Sequence, residues 1–171
     1  MKVLMGIFKE HQKAAVVQHY GISTLRNLCL NKHNVAQVGE RGGITAFLGA
    51  MRLHPKHTII QAIGCDGLGL LADNPKNQMA ILAKKGLFIV LNAMKRFPEH
   101  LVIQDRGLAF LHNMSRDREA VSWMKQNGAI GFIQAAYKQL PRASENREKG
   151  VELSKRIQQN KVLVTNALLG R

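Results

Sequence analysis

The sequence predicts an all-α solenoid, and three observations carry that expectation. Residues of one type recur every 43 positions, the apolar residues between them keep helical spacing, and the composition is aliphatic rather than aromatic. Gly21, Gly64, Gly107 and Gly150 hold the period, as do Gln18, Gln61 and Gln104. So do Leu4, Phe47, Val90 and Ile133, then Leu25, Leu68 and Leu111, then Pro55, Pro98 and Pro141. Asn31, Asn74, Asp117 and Asn160 complete the series. A fixed period of this length marks stacked supersecondary units that share one core. Hydrophobic residues make up 46% of the 171 residues, enough for one domain's core. Aromatics make up 5%, too few for a β-sandwich or a base-stacking platform.

The elements follow in order. The first helix, about 3–11, recurs over 45–53, 87–96 and 129–140, with apolar residues at Leu4, Ile7, Phe8 and their counterparts. It stops near position 12, where the later units carry proline, which cannot continue a helix. The longest helix comes next. Val17, Gly21, Leu25 and Leu28 fall at i, i+4, i+8 and i+11, joined by Ile22, Cys65, Leu108 and Val151 at one shared position. Glycine inside a helix costs about 1 kcal/mol against alanine, so the recurring glycine predicts a helix crossing so closely that backbones touch. A short helix follows over about 33–41, 76–84, 118–127 and 161–169, carrying Val38, Ile81 and Met124. Gly42-Gly43, Lys85-Gly86 and Asn127-Gly128 close it; the third pair falls one residue early and reads as a deletion. Four units result, 1–43, 44–86, 87–129 and 130–171, forming a single solenoid over 1–171.

The two ends differ. Residues 1–13 are apolar and basic, but they are in register with later units, so a folded helix is expected there rather than a presequence. The last unit turns polar, with Asn146 in place of Ile103 and Ser154 in place of Leu111, as a degenerate cap would. The first unit opens directly on Val3-Leu4-Met5-Gly6-Ile7-Phe8. That exposed apolar helix predicts cover from a neighbouring subunit, a second copy or residues outside this chain.

At this level the units resemble the armadillo repeat. The stretches 42–78 and 86–115 carry the likeness, through the short–medium–long helix order and the glycine that enters the second helix. The ending Leu25-Arg26-Asn27-Leu28 is similar to the family's L-x-N-L. The resemblance implies a right-handed α-α superhelix and a non-enzymatic scaffold or adaptor. It also implies a concave groove, lined by the third helices, that binds extended peptides or helices. Nuclear-import adaptors of the family carry a Trp and, four residues on, an Asn on successive third helices. Here the Asn position reads Asn27, Leu70, Asn113 and Arg156, and the Trp position reads Ser23, Asp66, Ala109 and Glu152. The only tryptophan, Trp123, falls on a short helix, so that ladder is absent.

The groove face is expected opposite the core stripe. It takes Tyr20, Ser23 and Asn27, then Ile63, Asp66 and Leu70, then Arg106, Ala109 and Asn113, then Lys149, Glu152 and Arg156. Asparagine offers a donor and an acceptor to an extended backbone, while Arg106, Lys149 and Arg156 would select acidic side chains.

The net charge is +14, spread along the chain without a run of five basic residues. A protein partner of acidic character is the first expectation, within a larger assembly. A basic structural subunit contacting nucleic acid or another polyanion is the alternative, without a motif for it. Gly67-Leu68-Gly69-Leu70-Leu71-Ala72 matches a dinucleotide fingerprint as text, but it lies where a helix is expected and not after a strand. His54-Pro55-Lys56-His57, with the period-related His11 and His100, reads as exposed loop histidines and not a metal site, since no third ligand shares their positions. Cys29 and Cys65 read as buried free thiols, consistent with an intracellular, cytoplasmic protein. No carboxylate pairs with a serine, histidine or cysteine in a catalytic pattern. The sequence therefore predicts no enzyme and no cofactor, and no apolar run reaches a membrane span.

Overall fold

A computed structural model describes residues 1–160, and among them the chain is all α, with eleven helices and no strand. In chain order these are α1 (Lys2–Glu10), α2 (Ala15–Cys29), α3 (Lys32–Glu40), α4 (Gly43–Leu53), α5 (Thr58–Leu71) and α6 (Pro75–Ala83). They continue as α7 (Gly86–Arg96), α8 (Leu101–Met114), α9 (Arg118–Gln126), α10 (Ala129–Gln139) and α11 (Glu145–Gln159). The short helix expected over 161–169 lies outside the described residues. Helices α2, α5, α8 and α11 pack in series, and so do α1, α4, α7 and α10.

The recurring polar residues close the helix ends. Asn31, Asn74 and Asp117 are the N-caps of α3, α6 and α9. Their side-chain oxygens accept from the N–H groups of His33, of Lys76 and Asn77, and of Ala120, at 2.9–3.2 Å. These are donors that a helix start leaves without partners. The glutamines serve the opposite end. Gln18 Nε2 donates to the carbonyls of Phe8 (3.2 Å) and His11 (3.0 Å), where α1 stops. Gln61 does the same for Met51 (2.9 Å) and His54 (3.0 Å), and Gln104 for Met94 (2.9 Å) and Phe97 (2.8 Å). In α11 the task falls to Arg147, whose Nη1 donates to the Tyr137, Lys138 and Leu140 carbonyls at 2.8–3.1 Å.

Two expectations are corrected in the turns and crossings. The left-handed turn residues are Gly42 (φ 97°), Lys85 (φ 61°) and Gly128 (φ 64°), which keep the 43-residue interval, so no deletion exists at Asn127-Gly128. Among the described residues Lys85 is the one non-glycine with positive φ, a conformation that costs a side chain about 1 kcal/mol. The helix glycines do not let backbones touch. A Cβ at Gly21 would meet the Phe8 ring at 2.7 Å, at Gly107 the Met94 sulfur at 2.5 Å, and at Gly150 the Tyr137 Cβ at 2.7 Å; at Gly64 it would meet Met51. Each glycine is a notch that receives one large side chain from the preceding helix.

The ends of the array also depart from the periodic pattern. Leu71, Met114 and Ile157 are fully buried, whereas Leu28, at the same position in α2, is 40% exposed, and Val3 on α1 is 78% exposed. Ser154, expected on a polar outer face, is buried.

Candidate binding groove

The core stripe of each long helix leaves an opposite stripe uncovered. On α2 this is Val16, Tyr20, Ser23 and Asn27, at i, i+4, i+7 and i+11, one face of the helix. Residues 59, 63, 66 and 70 repeat it on α5, residues 102, 106, 109 and 113 on α8, and residues 145, 149, 152 and 156 on α11; none of the sixteen is buried. Two cavities open on this face, of about 490 and about 310 Å³, and both are lined by Asp66 and Arg106. Asn113 and Lys149 line the larger one; Ser23 and Asn27 line the smaller. Six of the eight predicted groove residues are thus brought together.

The other two are placed differently. Tyr20 lines neither cavity; its ring stacks on His19 with centroids 4.8 Å apart. Arg156 is turned into the fold, where Nη1 donates to the Ser115 hydroxyl at 2.7 Å and carbonyl at 3.3 Å, and Nη2 pairs with Glu152 at 2.5 Å.

Each of the expected cations already holds an acid of this chain, so only the surplus of positive charge is left to favour an acidic ligand. Asp66, with its side chain 17% exposed, lies between Arg26 Nε at 2.6 Å and Arg106 Nη1 at 3.5 Å. It therefore ties α2, α5 and α8 across the groove floor. Lys149 pairs with Glu145 at 2.6 Å, and Arg116 with Asp73 at 2.9 Å. The hydrogen bond and charge of Lys149 hold the Glu145 carboxyl below the usual range. The hydrogen bond from His112, at 3.1 Å, does the same for Glu152, reinforced by the charges of His112 and Arg156. Asn113 also has a structural duty, since its Nδ2 donates to the Gly69 carbonyl at 3.0 Å and so joins α8 to α5.

The sequence reading missed the groove's apolar half. Val16, Ile59 and Val102 are 66%, 49% and 51% exposed and stand 43 residues apart. The signal was in the predicted stripe, one helical turn toward the N-terminus. Position 145 breaks the ladder with glutamate. Arg26 was missed as well, and nothing in its own repeat position marks it: Gly69, His112 and Lys155 stand there.

The remaining candidates take structural places. Gly67-Leu68-Gly69-Leu70-Leu71 lies inside α5, with no strand before it. His54 and His57 are half-buried rather than exposed: His54 Nε2 bonds the Gln12 carbonyl at 2.9 Å, and His57 Nδ1 accepts from the Ile60 N–H at 3.4 Å, capping α5. Among the described residues no group of three or more His, Cys, Asp or Glu could hold a metal, and no helix is long and apolar enough to cross a membrane.

Both cysteines are free and buried. Burial pushes the Cys29 thiol up to about 11, and burial with the neighbouring Asp66 charge pushes Cys65 up to about 12. The folded protein at pH 8 is expected to leave both thiols unreacted while the urea-unfolded chain reacts rapidly at both. The folded pKa values lie above the ordinary 9.0. Stability from this source is therefore full below pH 9 and lost as pH rises from 9 toward 12. Fast labelling of either thiol in the native protein would contradict this placement.

No protein-family model, curated protein or solved structure matches the chain.

Proposed function

We propose that this chain is a non-catalytic armadillo-type scaffold that holds an extended protein segment along the face of α2, α5, α8 and α11, as one subunit of a larger assembly. One observation carries the reading: an uncovered stripe repeats in the same register on α2, α5, α8 and α11, aliphatic at its start on the first three and charged further along on the last three. An extended chain crossing such a face meets a similar set of contacts at each helix, which suits a segment better than a small substrate. Val16, Ile59 and Val102 offer apolar contacts. Arg26, Lys32, Arg106, Arg116 and Lys149 outnumber Asp66, Asp73 and Glu145 on the cavity walls, which favours acidic character in the segment. Apolar exposure at Val3 and Leu28 gives a neighbouring subunit a place to pack.

The test is capture of partners by the tagged protein from extracts of its source, with and without nuclease, at low and moderate salt. A discrete protein that survives both treatments and binds the purified chain is the expected result. Loss of everything on nuclease or salt would favour the alternative, a basic subunit on a polyanion, whose affinity falls steeply with salt.

The Asp66 clamp then gives a signed prediction. Asp66→Asn removes one acid from the groove and releases Arg26 and Arg106. Binding of an acidic segment is expected to tighten about fivefold at low salt, and the gain is expected to shrink as salt rises. Titration calorimetry across a salt series measures it. Weaker binding would mean that the segment brings a base to Asp66 and is not acidic there.

A further inference from the structure

The same 43-residue shift that relates the long helices also relates three clefts beside the α1–α4–α7–α10 series. The first is lined by Lys9, Gly42, Thr45, Gly49 and Leu53 among others, the second by Arg52, Lys85, Phe88, Asn92 and Arg96, and the third by Lys95, Phe132, Ala135 and Gln139. Position for position, the first and third carry one cation each, whereas the second carries three and no acid. Its volume is about 520 Å³, within the range of small-molecule sites. None of its residues lines the groove described above.

Two further observations bear on this cleft. Arg52, Lys85 and Arg96 form no ion pair with any described residue, in contrast to Arg26, Arg106, Arg116 and Lys149 in the groove. Lys9 and Lys95 in the sister clefts form none either, so the number of free cations is what differs. And Lys85 occupies the left-handed position that glycine fills at 42 and 128. A left-handed lysine where the two sister turns carry glycine is held there by the surrounding fold at a small cost, and a cation at the mouth of a basic cleft gives that cost a use. Arg52 is held in place, with Nη2 donating to the Lys84 carbonyl at 2.7 Å. Phe88 lines the cleft with its side chain 53% exposed, and Asn92 offers a donor and an acceptor.

We propose that this cleft binds a free nucleotide, with its phosphoryl oxygens on Arg52 and Lys85 at the start of α7 and its base against Phe88, one turn along. Arg96, at the far end of α7, adds to the field of the cleft. Guanidinium groups suit phosphoryl oxygens, and a planar base suits an exposed ring. A small ligand fits better than a nucleic-acid strand, because the charge is concentrated in one of three equivalent clefts.

The experiment is titration of the intact chain with ADP, inorganic pyrophosphate and a single-stranded oligonucleotide at low salt. Saturable ADP binding is expected, about tenfold tighter than pyrophosphate, with the difference lost in Phe88→Ala. Lys85→Gly and Arg52→Gln should each weaken ADP about tenfold, while Lys155→Gln, the same charge change at an exposed position of α11, should not. Lys85→Gly should also melt at a higher temperature than the parent, so its weaker binding cannot come from unfolding. The proposal is overturned by no saturable ADP binding, by unchanged affinity in Lys85→Gly and Arg52→Gln, by pyrophosphate binding as tightly as ADP, or by a strand that binds more tightly than ADP. None of these outcomes bears on the groove.

Discussion

Gln61→Leu is expected to lower the free energy of unfolding by about 2 kcal/mol, a large share of a domain's total. Leucine has nearly the same reach and is at home in a core, so sterics are not the reason. The loss comes mainly from the Met51 carbonyl, which Gln61 serves at 2.9 Å; the His54 carbonyl, served at 3.0 Å, keeps a second donor in the His57 N–H at 3.0 Å. Met51 is a helix-end acceptor, and an orphaned buried acceptor costs about 1–3 kcal/mol. Burial of extra apolar surface offsets part of this. Gln61→Glu is expected to be worse at neutral pH, because a carboxylate with no donor would face two carbonyl oxygens. It should recover in part on acidification, when the carboxyl regains a proton. Urea unfolding followed by helical circular dichroism measures all three chains. A loss below about 0.5 kcal/mol for the leucine variant, the range of an ordinary surface change, would mean that the Met51 carbonyl is satisfied another way.

That glutamine shows what the sequence could and could not disclose. Its recurrence was plain, as were the helices, because both depend on period and polarity along the chain. Its duty depends on where a neighbouring helix ends in space. The same divide applies to the glycines. Their spacing predicted close contact, but only the packing shows that the contact is a Phe, Met or Tyr side chain and not backbone. In the groove, the stripe at 20, 23 and 27 was legible from helical geometry alone. Pairing was not: Arg26 and Asp66 are 40 residues apart, and no local pattern announces that one neutralises the other. Nor did charge counting distinguish cations that hold an acid, such as Arg106, from those that hold none, such as Arg96. Exposure of Val16, Ile59 and Val102 was hidden for a different reason. Aliphatic residues near a helix start read as core until the packing decides which face they take.

Those three residues set the sharpest functional test. The double variant Ile59→Asp, Val102→Asp is expected to weaken segment binding by about a hundredfold while leaving the fold intact. Both side chains are about half exposed, so each change should shift stability by no more than about 0.5 kcal/mol, as surface substitutions do. Covering the exposed half of each aliphatic side chain contributes about 1 kcal/mol to a complex. A carboxylate forced under the bound segment without a partner adds a desolvation penalty of its own. Together these exceed about 2.7 kcal/mol, which is a hundredfold in affinity. Met79→Asp is the control for one of the two added charges, since Met79 is 67% exposed on α6 and lines neither groove cavity. Calorimetry with the captured partner, beside thermal melts of each variant, separates the cases. Retained binding in the double variant would remove the segment from this face. Equal loss in Met79→Asp would instead point to added negative charge acting on the whole +14 chain, with the apolar ladder playing no specific part.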